Sequence, residues 1–191
     1  MTWLLCDYGE VLSLAQPDDA QAALEAAVPI AADTFWDRYW QLREAYDRGD
    51  TGAVEYWTAV LRDRAAPSDL QRLLDLDAAS WLHPNPASLA AAGRAAGRGL
   101  RLALFSNAPM PIADEIDRQP GLSGFAPRLF SCRLRAVKPE PAAYAAALAA
   151  LGAEGNDVVF FDDRPDNVAS ARRAGIRATV FNDPAQFDAV A

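Results

Sequence analysis

Five short apolar runs constrain the fold of this chain more than any other feature. Most are apolar at consecutive rather than alternating positions, which is typical of strands covered on both faces. They are residues 2–8, 100–106, 128–134, 157–163 and 177–183. Four alanine-rich, helix-like segments separate or flank the last four runs: residues 84–98, 108–119, 140–152 and 164–175. Strands that alternate with helices predict an α/β fold with right-handed crossovers and a mainly parallel sheet.

The segment between Ser13 and about His83 breaks this alternation. It has no convincing strand, but it has helical periodicity, with Gly49 and Gly52 as stop signals and Pro67 as a start signal. A helical insertion directly after the first strand is therefore expected. The chain divides accordingly into a core domain of residues 1–13 and 84–191 and a helical cap domain of residues 14–83.

Seven aromatic side chains in this insertion fall at helical spacing: Phe35, Trp36, Tyr39, Trp40, Tyr46, Tyr56 and Trp57. Such spacing usually buries one face of a helix, and we favour this interpretation over a wall that selects the substrate. His83, the only histidine, precedes Pro84 near the expected junction of cap and core. A single histidine cannot form a metal cluster, so a linker position is predicted for it.

The net charge of −8 argues against a nucleic-acid partner, which would favour clustered lysine and arginine. A small anionic substrate stays compatible with it, because a bound cation can dominate the local field. Cys6 and Cys132 lie in apolar runs and are expected to be buried without a disulfide framework. With neither a signal-peptide pattern nor an apolar stretch near the ~20 residues of a bilayer span, a cytoplasmic protein without a membrane partner is expected. Nothing in the sequence indicates an oligomeric state.

Polar side chains follow the apolar runs in a consistent way. They are Asp7 after the first run, Ser106 and Asn107 after the second, Lys138 after the third, and Asp162 with Asp163 at the end of the fourth. In a parallel sheet, ligands bind outside the carboxyl ends of the strands. These carboxylates, a hydroxyl and an ammonium are therefore expected to converge at one edge, where they form a site suited to phosphoryl chemistry.

Each group has a chemical role in such a site. The Asp7 carboxylate can attack phosphorus and form an acyl phosphate, which splits hydrolysis into two easier steps. Because an anion attacks an anion, positive charge is needed, and Mg²⁺ bound by Asp7, Asp163 and Asp162 would supply much of it. Lys138 would neutralise charge on the phosphoryl oxygens and keep Asp7 ionised.

The segment after the second run has the pattern of an anion-binding helix start. Ser106 and the backbone N–H groups of Asn107 and Ala108 precede a predicted helix, where aligned donors and the helix dipole favour phosphate. Arg164 lies beside the acidic pair; it can help to hold anions, but a solvated or salt-bridged arginine is the interpretation we favour. Asn167, one helical turn beyond Asp163, is expected to orient the site without touching the reacting groups.

Taken together, these segments resemble the four motifs of the haloacid dehalogenase-like hydrolase superfamily. The matching stretches are CDYGEVL with Asp7, LFSNAP with Ser106, VKPEP with Lys138, and FFDDRPDN with Asp162, Asp163 and Asn167. The resemblance implies a Rossmann-like three-layer sandwich with a helical cap inserted after the first strand. It also implies a Mg²⁺-dependent phosphatase of a small phosphorylated metabolite.

Gly9 departs from the pattern of this superfamily, in which most phosphatases have a second aspartate at that position that protonates the leaving oxygen. A glycine offers no side chain for this step, although its carbonyl can still bind Mg²⁺, as the resemblance implies. The first motif, with Asp7, Gly9 and Val11, is most similar to a subgroup that resembles sugar-phosphate phosphatases. Glu10 is adjacent, but strand alternation would point it away from the side of Asp7.

Two other functions stay open at this stage. One is a metal-independent 2-haloacid dehalogenase, in which the aspartate attacks carbon; that subgroup lacks the paired acids, so Asp162 and Asp163 argue against it. The other is a catalytically weak or inactive member that acts as a binding or regulatory protein, with Gly9 as the mark of lost activity. The substrate itself cannot be predicted from the residues of the insertion.

Overall fold

The computed structural model describes residues 2–62 and 67–190 of the chain. Its five parallel strands are β1 Trp3–Cys6, β2 Arg101–Ser106, β3 Phe125–Phe130, β4 Val158–Asp162 and β5 Arg177–Val180. They form one sheet in the order β3-β2-β1-β4-β5. The predicted α/β class with a parallel sheet is confirmed, and β1 is the strand at which the order of the strands reverses direction.

The described residues contain ten α-helices. Five lie between β1 and β2: α1 Asp18–Ala26, α2 Ala32–Gln41, α3 Arg43–Arg48, α4 Ala53–Leu61 and α5 Pro67–Trp81. The other five are α6 Pro86–Gly97, α7 Met110–Asp117, α8 Ser131–Leu134, α9 Pro141–Leu151 and α10 Pro165–Arg173. The helical insertion after the first strand is thus present as predicted. None of these helices has the length and apolarity to cross a membrane.

Alternate side chains of β1 enter two different hydrophobic cores. Leu4 and Cys6 pack with α6 and α7, whereas Trp3 and Leu5 pack with α9 and α10. Successive side chains of a strand point to opposite faces of a sheet. The two cores therefore lie on the two faces of the sheet, which gives the three-layer sandwich that the resemblance implies.

The third apolar run is only partly a strand. β3 starts earlier than predicted, and its extended backbone ends at Phe130. The predicted strand over residues 128–134 is therefore wrong for its second half, where residues 131–134 form α8 and Arg135 is left-handed at φ 58°. The reason is a tertiary contact: the Ser131 hydroxyl donates to the Asp47 carbonyl of the insertion at 2.6 Å. Cys132 in this helix and Cys6 in β1 are free and buried, as predicted.

Helices α1–α5 bury a hydrophobic core of their own. Phe35, Tyr39, Tyr56 and Trp57 are almost completely buried there, and the rings of Phe35 and Trp57 stack with their centroids 6.3 Å apart. Most of the aromatic side chains thus pack the inside of the insertion, which is the role favoured from their spacing. Trp40 is the exception, because 51% of it is exposed.

The two chain segments that enter and leave the insertion run side by side. Ser13 and Pro84 form an antiparallel bridge, and the Leu14 amide donates to the His83 carbonyl at 2.7 Å. His83 therefore lies where the chain leaves the insertion.

Candidate active site

The register of the central strands brings the predicted nucleophile beside the predicted acidic pair. Cys6 of β1 pairs with Phe161 of β4, so the next residue, Asp7, is the neighbour of Asp162. The Asp7 amide donates to the Phe161 carbonyl at 2.9 Å. Parallel α/β sheets bind ligands at this position, outside the carboxyl ends of the strands where the strand order reverses.

The chain leaves the extended conformation directly after β1. Residues Tyr8–Leu12 form one wide turn, closed by a hydrogen bond from the Ser13 amide to the Tyr8 carbonyl at 2.8 Å. Glu10 has a φ of 54° and lines the same cavity as Asp7. The prediction that strand alternation points Glu10 away from Asp7 is therefore wrong, because there is no strand at this position.

Gly9 occupies the place at which the superfamily pattern has an acid. Its φ of −59° and ψ of 130° are accessible to any residue. A Cβ atom built on Gly9 would lie 3.7 Å from Cζ3 of Trp81, which is an ordinary van der Waals contact. The backbone at position 9 therefore accepts a side chain beside the cavity. Neither the backbone conformation nor the available space requires a glycine there.

The ammonium group of Lys138 joins the acidic side chains. Its Nζ lies 2.9 Å from Asp7 Oδ1 and 2.6 Å from Asp162 Oδ2, and it donates to the Phe105 carbonyl at 2.9 Å. Lys138 is buried, so these oxygens take the place of water around its charge. Asn107 fixes the backbone of Lys138 by accepting from its amide at 2.9 Å and donating to its carbonyl at 2.8 Å. The side chain of Asn107 thus positions the lysine, a role that its sequence context did not indicate.

The two acids of the predicted pair differ in their surroundings. Asp162 is fully buried, and its oxygens accept from Lys138 Nζ, from the Arg164 amide at 2.9 Å and from Asn167 Nδ2 at 2.8 and 3.1 Å. The half-buried Asp163 carboxylate is held by no side chain among the described residues. Asp7, Asp162 and Asp163 each place one carboxylate oxygen within 4.8 Å of the other two. Asp163 is therefore the freer member of the pair for a cation, whereas Asn167 holds Asp162.

Burial controls the ionisation of this cluster. Desolvation raises the pKa of Asp7 to about 7, although Lys138 lowers it. Burial alone would lower the pKa of Lys138, but Asp162 and Asp7 raise it above its ordinary value. Burial, followed by the charges of Asp162 and Glu10, raises the pKa of Asp163. Carboxylates held close together in this way favour a cation, because its charge offsets their mutual repulsion.

The residues predicted to contact phosphate lie at the end of β2 and directly after it. Ser106 and Asn107 line the cavity that contains Asp7. The Ala108 amide donates to the Ser131 hydroxyl at 3.0 Å, and that hydroxyl donates to the Asp47 carbonyl. A phosphate would reach the Ala108 amide only by displacing Ser131. Ser131 thereby ties α3 of the insertion to the segment that precedes α7.

Replacing Ser131 with alanine is expected to lower the free energy of unfolding by about 1–3 kcal/mol, because the buried Ala108 amide and the Asp47 carbonyl lose their partner. Urea denaturation measures this change. Ser123→Ala, at an exposed serine, serves as the control and should change stability by less than about 0.5 kcal/mol. Equal stabilities of the two variants would contradict a stabilising role for the Ser131 contacts.

A cavity of about 230 Å³ lies between the sheet edge and the insertion. Clefts that hold drug-sized ligands measure roughly 300–1,000 Å³, so this cavity suits a smaller molecule. Its core side carries the residues described above, together with Arg164 and two isoleucines of α7. Arg164 is exposed and forms no salt bridge with a described carboxylate, in agreement with the solvated arginine favoured from the sequence.

The insertion closes the cavity with Trp40, Arg43, Asp47 and Trp81. Arg43, Asp47 and Trp81 are not among the residues predicted from the sequence. A signal for two of them exists, because positions 40, 43 and 47 share one face at helical spacing. The aromatic residues of the insertion have the same helical spacing, and that spacing is explained equally well by packing inside the insertion. The pattern alone therefore does not identify residues that line a cavity.

A model of the haloacid dehalogenase-like hydrolase family matches residues 7–175. The chain belongs to this family. The match begins at Asp7 and continues beyond Asn167, so it includes all the residues on which the predicted resemblance rests. The prediction of membership is therefore confirmed, and Gly9 is a feature of a genuine haloacid dehalogenase-like hydrolase.

Solved structures share the fold of this haloacid dehalogenase-like hydrolase at low sequence identity. A HAD family enzyme from Bacteroides thetaiotaomicron, solved with magnesium and inorganic phosphate, has a TM-score of 0.78 at 14% identity, over 96% of this chain and 95% of that one. A 2-haloacid dehalogenase from Pseudomonas syringae pv. Tomato DC3000 has a TM-score of 0.64 at 19% identity, over 95% and 87%. At these identities the likeness establishes the fold alone.

Curated sequence relatives have a higher sequence identity than these solved structures, but they align with a smaller part of the chain. A phosphoglycolate phosphatase from Rhodospirillum rubrum is 32% identical over 107 residues, which are 51% of this chain and 41% of the relative. The overlap spans less than two thirds of the length of the curated relatives, 41% and 58% for the first two.

Proposed function

We propose that this hydrolase is a Mg²⁺-dependent phosphatase of a small phosphorylated metabolite that acts through an aspartyl phosphate on Asp7. The observation that carries the proposal is the buried contact of Lys138 with both Asp7 and Asp162, next to the free carboxylate of Asp163. The phosphatase name of a relative that is 32% identical supports it. In this proposal the core of residues 1–13 and 84–191 performs the chemistry, and the cap of residues 14–83 encloses the substrate.

The carboxylate cluster fits Mg²⁺ in its chemistry. Mg²⁺ prefers hard oxygen ligands and is usually bound by one or two carboxylates together with waters and phosphate oxygens. Asp7 and Asp163 would hold the ion, with the Gly9 carbonyl as a further ligand. Asp162 stands close enough to contribute, but its oxygens already bind Lys138 and Asn167. When bound, the ion supplies positive charge that offsets the repulsion between the attacking carboxylate and the phosphate.

The two oxygens of Asp7 differ in availability. Oδ1 accepts from the Tyr8 amide at 2.7 Å and contacts Lys138, whereas Oδ2 accepts no hydrogen bond from the described residues. Oδ2 attacks phosphorus, the bond from phosphorus to the leaving oxygen breaks, and that oxygen takes a proton from water. Water then attacks the phosphorus of the acyl phosphate, which releases inorganic phosphate and restores the carboxylate.

Two groups donate hydrogen bonds to the transferred phosphoryl oxygens in this proposal, the Ser106 hydroxyl and the Asn107 amide. The three N–H groups of Lys138 already bind Asp7, Asp162 and the Phe105 carbonyl, so its ammonium acts through its positive charge on the charge that develops during the transfer. Ala108 joins them only if its amide leaves Ser131. Lys138 is fixed before the substrate binds, since Asn107 and two carboxylates hold it.

Turnover of an aryl phosphate is expected to require Mg²⁺, because the Asp7 carboxylate meets a phosphate dianion in a cluster of acids. Phosphate release is measured with Mg²⁺ and with a chelator, and halide release from a 2-haloacid is measured in parallel. Metal-dependent phosphate release supports the proposal. Metal-independent halide release would identify a dehalogenase instead, and the absence of both activities would favour the binding or regulatory protein.

A further inference from the structure

The cap side of the cavity carries a buried charged cluster that the proposed chemistry does not use. Arg43 is 7% exposed, its Nε donates to Asp47 Oδ1 at 2.7 Å, and its Nη1 donates to the Tyr39 hydroxyl. That hydroxyl donates to Asp77 Oδ1 at 2.7 Å, and Asp77 Oδ2 lies 3.7 Å from Arg43 Nη1. One guanidinium thus faces two carboxylates.

Part of this cluster lines the cavity. The side chains of Arg43 and Asp47 both belong to the cavity wall, and the hydrogen bonds that join them to the cluster use Arg43 Nε and Nη1 and Asp47 Oδ1 rather than Arg43 Nη2 and Asp47 Oδ2. The guanidinium carbon lies 5.8 Å from the ring centroid of Trp81, whose ring meets that of Trp40 edge to face at 6.3 Å. The wall therefore offers hydrogen-bond donors and an acceptor side by side, framed by aromatic surface.

The wall offers no net positive charge. Arg43 carries one positive charge against the carboxylates of Asp47 and Asp77. Burial raises the pKa of Asp77 and that of Asp47, and the charge of Arg43 lowers both. Among the described residues that line the cavity, four acidic side chains face three basic ones. Lys138 is engaged by the phosphoryl site, and Arg164 lies beside Asp163 on the core side.

We infer that the leaving group of the substrate is uncharged and hydroxylated, and that Arg43 and Asp47 select it; this rests on the proposed function. Arg43 Nη2 donates to a hydroxyl oxygen, Asp47 Oδ2 accepts from a hydroxyl hydrogen, and the carbon skeleton packs on Trp81 and Trp40. A carboxylate in the same place has no hydrogen to donate and is repelled by Asp47. The cavity thus discriminates by charge between esters of similar size.

A matched pair of substrates tests this inference. Glycerol phosphate and phosphoglycerate differ in a terminal hydroxymethyl group that is a carboxylate in the latter. With saturating Mg²⁺, kcat/KM for glycerol phosphate is expected to exceed that for phosphoglycerate about tenfold or more, since a like charge in a partly buried site is costly. An aryl phosphate serves as the reference ester for the phosphatase activity itself.

Cap variants connect the discrimination to the wall. Asp47→Asn removes the repelling charge and is expected to reduce the ratio several-fold. Asp75→Asn removes the same charge from an exposed position on α5 and should leave the ratio unchanged. Arg43→Lys keeps the charge but loses the planar fork, so it should lower kcat/KM for glycerol phosphate more than for the aryl ester.

The outcomes distinguish a failure of the inference about the leaving group from a failure of the proposed phosphatase function. Aryl phosphate turnover with phosphoglycerate cleaved as fast as glycerol phosphate overturns the inference and leaves the phosphatase intact. The inference also fails if Asp47→Asn and Asp75→Asn change the ratio alike. Should Asp47→Asn fail to fold, equal losses on both esters in Arg43→Lys overturn the inference. Absence of any Mg²⁺-dependent turnover overturns the proposed function, and the inference with it.

Discussion

Replacing Asp7 with asparagine is expected to lower Mg²⁺-dependent phosphate release by a factor of about 10⁴ or more. The amide keeps the shape of the side chain but lacks the carboxylate oxygen that attacks phosphorus. It also removes one of the two charges that contact Lys138, and it removes a ligand from the proposed Mg²⁺ site. Initial rates with an aryl phosphate at saturating Mg²⁺ measure the loss.

Two further variants distinguish the nucleophile from the metal ligand and from a general charge effect. Asp163→Asn should raise the Mg²⁺ concentration needed for half-maximal activity, because it weakens binding of the ion without removing the attacking oxygen. Asp157→Asn makes the same substitution directly before β4, at the opposite end of that strand, and should leave the rate within about two-fold. Retention of even a few per cent of activity in folded Asp7→Asn protein would show that another group forms the covalent bond.

The sheet could be predicted from the sequence because strands covered on both faces leave a direct trace in it. The buried strands β1, β2 and β4 are nearly continuous apolar runs, and each ends at a polar residue or directly before one. Because the strands are parallel, all their carboxyl ends lie at one edge of the sheet, and the polar residues that follow them must lie there too. The contact of Asp7 with Lys138 follows from this topology, although the lysine comes from a loop rather than a strand.

Other features depend on contacts that no local pattern records. Ser131 ends β3 because its hydroxyl binds the Asp47 carbonyl, from a residue 84 positions earlier. Glu10 faces the cavity because the backbone turns sharply after Cys6, where a strand pattern would continue. The residues of the insertion that line the cavity have a helical spacing that also fits packing inside the insertion. Arg43 can therefore be identified as a cavity residue only from the position of the insertion over the sheet.

Replacing Gly9 with aspartate is expected to raise the rate of phosphate release by about 10²–10⁴-fold, the usual contribution of general acid–base catalysis. The backbone angles at position 9 suit aspartate, and the nearest atom to its Cβ would be the ring of Trp81 at 3.7 Å. The new carboxyl group would supply the proton that the leaving oxygen otherwise takes from water. Single-turnover rates of the two proteins measure the gain.

Gly9→Asn is the matched control, because it has the same shape without a proton to transfer, and it should give no gain.

The choice of ester makes the test sharper. An alkyl alcohol is a poor leaving group that needs protonation, whereas an aryl oxide leaves readily without it. The gain in Gly9→Asp should therefore be larger for glycerol phosphate than for an aryl phosphate. An equal gain with both esters would mean that the aspartate acts on metal binding rather than on the leaving oxygen. If Gly9→Asp is no faster than Gly9→Asn, proton transfer does not limit this hydrolase, and Glu10→Gln would then show whether Glu10 already performs it.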